Sequence, residues 1–369
     1  MRIGLDARNL LPTQTGIGRC VYNLITNLAK LDNQNEYIVI KRTEYSPKIV
    51  DAENFREISI PYDPSSFRSC AIGFRELNDL NLDVYHSFFH FLPRGIKAKR
   101  IIVTLHDLMW VYYPNLVFDD YLRQKTIEYY GKIFIKRALI RADSIVAISN
   151  YTKQQALGRY DLSAENIHVI YNGIDSASFE TNSHNEITQE YRDRKYIFSI
   201  GHTRPYKNIP SAIRAFQQIC DEFQEIDLVI AGRGDYENKL KKLVSIYNLE
   251  DRVIFGGRLS DEVMIPIFKN AEFLVFPSLI EGFGLPIVEA MALGCPVLAS
   301  NIPVFEEIGG DAYQKIDPYS VDDIAMGMRK LLSSDEVRNT LRIKGFERAK
   351  LFSWEESAKK LLSVFNDLN

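Results

Sequence analysis

Cysteine is scarce and scattered in this 369-residue chain: Cys20, Cys70, Cys220 and Cys295 form no CxxC pair. Such spacing suits neither a zinc site nor a disulfide framework, and it reads as reduced thiols in a cytoplasmic protein. Also lacking is any apolar run near the roughly 20 residues that span a bilayer. The opening stretch MRIGLDARNLL places Arg2 and Asp6 inside a short apolar run, unlike a signal peptide. Charge of one sign is missing too. Lys and Arg number 45 against 48 Asp and Glu, a net of -3, which gives no sign of a nucleic-acid partner.

What is present is an ordinary soluble composition, 46% hydrophobic and 25% charged, in a chain long enough for two cores. Short apolar runs alternate with helix-length amphipathic segments from end to end. In the first half they fall at 2–5, 37–40, 83–85, 101–105, 144–148 and 168–170. In the second they fall at 196–200, 227–231, 253–255, 273–276 and 296–299. Runs apolar on both faces and separated by helices indicate parallel sheets covered on each side, an α/β class. After the first run, Val21, Leu24, Ile25 and Leu28 share one helical face. Between 175 and 191 the pattern lapses into polar sequence, and a fresh βαβ series starts at Lys195. The boundary is therefore expected near residue 185, with domains at 1–185 and 186–351. A single continuous sheet is the alternative, but open sheets rarely exceed about ten strands.

Ligands of parallel α/β sheets sit in loops at the carboxyl ends of strands, so the polar segments are read by the strand they follow. After the first strand come Gly16 and Gly18, at the start of a helix whose free N–H groups favour an anion. Val21 stands where a dinucleotide fingerprint needs a third glycine, so a tight turn remains the alternative. His106 ends another strand, where its imidazole can donate to a sugar hydroxyl or a nearby oxygen. His86 and His90, among aromatics, fit either core packing or an acceptor-facing wall. In YIFSIGHTRPYKNI, Arg204 and Lys207 make a cationic turn suited to a diphosphate, or a merely solvated one. The strongest segment is PSLIEGFGLPIVEAMALGCPVLAS, where seven residues separate Glu281 from Glu289. Glu281 belongs to the glycine loop and Glu289 to the first turns of the next helix. An acid in the loop can bind sugar hydroxyls, and one on the helix can reach a ribose diol. The N–H groups of the loop and the helix dipole suit a pyrophosphate between them.

EGFGLPIVEAMALGCPV resembles the E-x7-E signature of the family-4 retaining glycosyltransferases with the GT-B fold. The resemblance runs through nearly the whole chain. It includes GIGR at 16–19, HDL at His106, NGID at 172–175, GHTRPYKN at 201–208, AGRGD at 231–235 and FGGRLSDEVM at 255–264. It implies two Rossmann-like αβα domains facing each other across a deep cleft. It also implies a final helix, 352–369 with Trp354 as anchor, that packs back on the first domain. By the same resemblance Arg204 and Lys207 hold the donor diphosphate, Glu289 the ribose, and Glu281 the transferred sugar beside its anomeric carbon. Gly282, Phe283, Gly284 and Leu285 touch sugar and phosphates through their backbone. His106 bonds the sugar from the first domain, Gly16 lies near phosphates or acceptor, and Arg258 and Leu259 border the base. One departure is Tyr206, where relatives often carry Arg in the cationic turn.

The family works without a metal or other cofactor, and no Asp-x-Asp ends a strand in this chain. The implied donor is a nucleotide sugar, UDP-hexose such as UDP-glucose or GDP-mannose, and the acceptor a saccharide or lipid-linked saccharide in polysaccharide biosynthesis. Lys132, Lys136, Arg137 and Arg141 lie on an expected helix with Ile133, Phe134, Ile135 and Leu139. That helix suits peripheral contact with anionic lipid on the inner membrane face, or a solvated face beside the core. Other GT-B chemistries, a nucleotide-sugar epimerase or a sugar phosphorylase, and a non-catalytic nucleotide-sugar sensor stay open at this point.

Overall fold

The computed structural model describes residues 1–11, 15–45, 47–73, 75–117, 120–174, 189–201, 204–234 and 236–368, with backbone only at 189, 190 and 261. They form two compact units. One comprises Met1–Pro114, Lys125–Gly173 and Ser353–Asn369, the other Asn115–Gln124 and Ile174–Phe352. The division falls after Gly173, ahead of the boundary expected near 185. Residues 175–188, most of the expected linker, lie outside the described residues.

In the first unit the strands are β1 Arg2–Asp6, β2 Glu36–Arg42, β3 Phe55–Ile60, β4 Val84–Ser87, β5 Arg100–Leu105, β6 Ser144–Ala147 and β7 Ile167–Val169. They pair in parallel in the order β3-β2-β1-β4-β5-β6-β7. Central strands such as β1 are buried along almost their full length, which explains their apolar sequences. β3, FREISI, is the exception: a half-exposed edge strand whose polar residues conceal it in the sequence. The core gathers Ile38, Ile40, Tyr85, Val103, Leu105 and Ile145 with Phe91, Ile135 and Leu139.

The helix Gly16–Leu31 buries Val21, Leu24, Ile25 and Leu28, the face expected from spacing, and Thr15 caps it by accepting from Gly18 N. The last helix, Trp354–Asp367, packs against it. Ser357 Oγ donates to the Tyr171 carbonyl at 2.6 Å, and the Phe365 ring lies 5.8 Å from His86 and 6.5 Å from Tyr37. A Cβ at Gly173 would stand 2.2 Å from Trp354 N, so this backbone crossing admits only glycine.

The second unit holds β8 Lys195–Ile200, β9 Ile226–Ala231, β10 Val253–Gly257, β11 Phe273–Phe276, β12 Val297–Ser300 and β13 Gln314–Ile316. These strands are also parallel, ordered β10-β9-β8-β11-β12-β13. The short edge strand β13, QKI, is again too polar to stand out in the sequence. Phe216, Leu228, Ile230, Phe273, Val275 and Leu298 centre its core.

In each sheet the chain first builds outward to one side and then returns to build the other. The strand order therefore reverses between β1 and β4, and between β8 and β11. At such switch points the loops leaving adjacent strands diverge, which opens a crevice at their carboxyl ends.

Phe365 is fully buried, so Phe365→Ala should destabilise the first unit by about 3–5 kcal/mol. Scanning calorimetry should show an unfolding transition displaced downward by several degrees. An unmoved profile would contradict the packing of the last helix on this unit.

Candidate functional site

At the second switch point, the loop after β8 passes through Gly201 into the helical turn Pro205–Lys207, which Arg204 precedes half-buried. Asn208 follows with φ +54 and donates from Nδ2 to the Pro318 carbonyl at 2.7 Å. From the neighbouring strand β11, the chain emerges at Phe276, and Leu279 N donates to the Tyr206 carbonyl at 2.8 Å. The two loops are thus tied together by their backbones. Their side chains meet as well: Lys207 Nζ lies 2.6 Å from Glu281 Oε1, and both side chains are nearly buried. Nζ also stands 4.8 Å from the centre of the Phe276 ring, a favourable cation–π position. Burial opposes the charge on Lys207, but the Glu281 carboxylate outweighs it and the pKa is raised. Lys207 is a cation held in place by its counter-charge.

Glycines shape the floor of this site. A Cβ on Gly201, whose φ is +147, would press against Lys207 Cε at 3.2 Å. One on Gly232, at the end of β9, would sit 1.7 Å from the Gly201 carbonyl oxygen. Beyond Glu281, Gly282, Phe283 and Gly284 are all buried. Gly284 has φ +100, and a Cβ there would come 2.8 Å from Phe305 Cε1. It caps the helix Leu285–Ala292, which has Pro286 in its first turn. Unpaired N–H groups at such a helix start, together with its dipole, favour an anion. Glu289 is buried on the same helix at 6% exposure. Arg258 is exposed and Leu259 half-buried. They follow β10, which is two strands from β8 in the sheet, or roughly 10 Å across it. The switch point thus brings together Lys207, Glu281 and the residues 282–285, with Arg204 in the same turn, and leaves Arg258 and Leu259 to one side.

At the first switch point the sequence had suggested glycines and a histidine, and the structure adds a buried ion pair. Arg8 is fully buried and forks onto Asp6, with Nε 2.7 Å from Oδ1 and Nη2 2.6 Å from Oδ2. The Tyr85 hydroxyl, from β4, donates to the same carboxylate. Burial pushes the Tyr85 pKa well up, and the Asp6 charge pushes it further. An Asp-x-Arg leaving a buried strand was the available signal for this network, since an arginine there has no water to face. Gly16 is exposed at the start of its helix.

His106 follows β5, one strand beyond β4. Its Nε2 lies 2.9 Å from the Phe88 carbonyl oxygen, which can only accept, so Nε2 carries the proton and Nδ1 the lone pair. Of the two acceptors expected for this imidazole, a sugar hydroxyl or a nearby oxygen, the N–H meets the second, and a ligand hydroxyl would donate to Nδ1. His86 Nε2 pairs with Thr104 Oγ1 at 2.8 Å. His90, 3% exposed, has no hydrogen-bond partner on either ring nitrogen among the described residues. Its ring stands 4.1 Å from Phe89 and 5.0 Å from Phe91. Burial lowers all three pKa values, to about 3 for His86 and His90 and about 4 for His106. Among the described residues no group of three or more His, Cys, Asp or Glu is placed to hold a metal ion.

Those depressed values set a pH dependence. Between the ordinary histidine value near 6.5 and the folded values of about 3 to 4, the unfolded chain binds more protons than the folded one. Stability is therefore full above pH 6.5 and falls as the pH drops through that window, by up to about 1.4 kcal/mol per pH unit for each histidine. Denaturant titrations at pH 7 and pH 5 should show a smaller loss in His90→Leu than in the parent. An equal loss in both would rule out a buried neutral His90.

Two family models match the chain: Glycosyltransferase Family 4 over residues 14–178 and Glycosyl transferases group 1 over residues 180–348. The O-antigen chain mannosyltransferase RfbU of Salmonella typhimurium is 31% identical over 206 residues, covering 56% of this chain and 53% of the relative. This chain thus spans about half the length of that relative. The O-antigen chain mannosyltransferase B of Escherichia coli is 29% identical over 296 residues, covering 78% of this chain and 75% of the relative. Among solved structures, sucrose-phosphate synthase from Thermosynechococcus elongatus superposes with a TM-score of 0.76 at 21% identity, covering 100% of this chain and 99% of that one. Two parallel sheets of this order, the E-x7-E segment at the second switch point and both family models agree: the chain belongs to the family-4, group 1 glycosyltransferases of GT-B fold.

Proposed function

We propose that the chain is a retaining glycosyltransferase that moves a hexose from a nucleotide-diphosphate sugar to a saccharide or lipid-linked saccharide during polysaccharide assembly. The observation that carries this reading is the ion pair between Lys207 and Glu281 beside the glycine-capped helix of Glu289. A cation, a helix N-terminus and two acids occupy one switch point. That combination suits a ligand with a diphosphate flanked by hydroxyl-bearing sugars. Lys207 and Arg204 would take the phosphate oxygens, with the N–H groups of residues 282–285 beside them. Glu289 would accept from the ribose diol, and Glu281 from the transferred sugar. His106, through Nδ1, and Gly16 are assigned to the sugar and to the phosphates or acceptor, and Arg258 with Leu259 to the base.

In the proposed transfer, the bond from the anomeric carbon to the diphosphate oxygen breaks, a bond to the acceptor oxygen forms on the same face, and the acceptor hydroxyl passes its proton to the departing phosphate oxygen. Fixed positive groups stabilise the departing phosphate, so the reaction is proposed to run without a metal. Both relatives are named as mannosyltransferases of O-antigen chains, which supports mannose as the sugar and GDP-mannose over UDP-glucose as donor.

Glu281→Ala should lower the transfer rate at least about a hundredfold, the scale of removing one transition-state contact. Glu289→Ala should chiefly weaken the nucleoside diphosphate, by about ten- to a hundredfold in calorimetric Kd. Product analysis with GDP-mannose, UDP-glucose and an acceptor extract, with and without EDTA, reads donor, anomeric outcome and metal dependence together. A rate near the parent's in Glu281→Ala, or an inverted product, would overturn the catalytic assignment. An unchanged Kd in Glu289→Ala would remove the ribose contact.

A further inference from the structure

The ammonium of Lys207 has more donors than the carboxylate beside it uses. Nζ carries three N–H groups, and among the described residues its only hydrogen-bond partner is Glu281 Oε1, at 2.6 Å. A cation this nearly buried, with two donors not met by an oxygen, is costly. Aromatic faces offset that cost. The centre of the Phe276 ring lies 4.8 Å from Nζ and that of the Tyr206 ring 5.4 Å. Both fall within the roughly 6 Å over which a ring face attracts a cation. Two rings and one carboxylate thus surround a single charge.

The two rings are fixed from different directions. Phe276 ends β11 at 2% exposure, and its ring packs on that of Phe305, with centres 5.7 Å apart. Phe305 is fully buried and also backs the turn at Gly284. Tyr206 is half-buried in the turn Pro205–Lys207. That turn closes through Lys207 N donating to the Arg204 carbonyl and Asn208 N to the Pro205 carbonyl, each at 3.0 Å. The Tyr206 carbonyl is held in turn by Leu279 N. Gly201 bounds the lysine stem: Cε and Cδ lie 3.2 and 3.3 Å from where a Cβ would stand. Burial opposes the lysine charge, Glu281 supports it most, and Tyr206 adds to that support.

The rings differ from the carboxylate in one respect. A carboxylate can leave the ammonium for another donor, and on the proposed reading Glu281 does so when the transferred sugar arrives. The rings have no such alternative, because strand, turn and neighbouring ring hold them where they are. We propose, resting on that reading of the site, that Tyr206 and Phe276 are positioning residues. They form a two-ring cage that keeps the Lys207 ammonium in place while Glu281 exchanges between lysine and ligand. The arriving diphosphate then meets a cation whose position does not depend on the carboxylate it displaces.

Proton spectra of the full chain carrying 13C-labelled lysine read the cage without any ligand, because protons held over an aromatic face are shifted upfield. The Lys207 signal is the one lost in Lys207→Arg, and it should lie upfield of the exposed lysines. Glu281→Ala should leave it there. Tyr206→Leu alone should move it part of the way back, and Glu281→Ala with Tyr206→Leu should move it further. Loss of the shift in Glu281→Ala alone would make the carboxylate the sole hold and overturn the proposal, as would a parent in which no lysine is shifted. Calorimetry with GDP and with UDP reads the consequence. For whichever the parent binds, Tyr206→Leu should raise Kd about two- to thirtyfold, the span of a cation–π contact. Tyr206→Phe keeps the ring and should stay within about twofold of the parent. An unchanged thermal midpoint checks that the variants fold. Parent-like affinity in Tyr206→Leu, or an equal loss in Tyr206→Phe, overturns the proposal. A parent that binds neither nucleotide removes the donor reading instead, and the lysine spectra then decide the cage by themselves.

Discussion

The ion pair between Lys207 and Glu281 is the contact on which the second unit's site depends. Two charges this nearly buried are held as a pair, and removing either leaves the other without its counter-charge, a cost of up to about 3–5 kcal/mol. The pair bridges loops that leave adjacent strands, β8 and β11, at the point where strand order reverses. It is reinforced by the backbone bond from Leu279 to Tyr206. The glycines follow from it. Gly201 makes room for the lysine stem, and Gly232 lets the end of β9 pass against the Gly201 carbonyl. Gly284 turns the chain out of the acidic loop into the helix of Glu289 through a backbone conformation that side chains resist. Sheet order, loop bonds and glycine positions are one arrangement, and the lysine charge is its centre.

The first unit meets the same topological situation with a different electrostatic result. At its switch point, Asp6 and Arg8 form a buried pair inside the fold, and the Tyr85 hydroxyl from β4 donates to the same oxygen, Oδ2, that accepts from Arg8 Nη2. The charge there neutralises itself within the fold. The nearby histidines are neutral because burial forbids their protonation. One switch point thus keeps a cation close to a helix N-terminus, whereas the other offers neutral imidazoles and aromatic rings. The charge of the one and the neutrality of the other follow from burial and pairing alone.

How much of this is legible in the sequence depends on what each residue answers to. Central strands such as β1, β9 and β11 are buried on both faces, so their apolar runs announce them. The edge strands β3 and β13 face water on one side, and FREISI and QKI carry too many polar residues to be recognised. Glu281, Glu289, Arg204 and Lys207 stand out because they follow strands and sit among glycines. That Lys207 and Glu281 touch cannot be read from positions 74 residues apart; it needs the adjacency of β8 and β11. The basic helix is the opposite case. Spacing puts four cations on one segment, but only the fold reveals that Arg137 and Arg141 reach inward to backbone carbonyls. The long arginine side chain, able to satisfy a buried oxygen while its stem packs on apolar surface, escapes any rule that equates charge with exposure.

The central pair also bears on how the proposed donor would enter. A diphosphate arriving at Lys207 meets a cation that already has an anion 2.6 Å away, so phosphate and Glu281 compete for the same charge. The competition is relieved if the carboxylate can turn from the ammonium to a sugar hydroxyl, which donates where the phosphate cannot. A ligand carrying both groups satisfies the lysine and the glutamate together, whereas a bare phosphate satisfies one and strands the other. On the proposed reading the pair would thereby favour a sugar joined to a diphosphate over either part alone, through the same interaction that ties the two loops together.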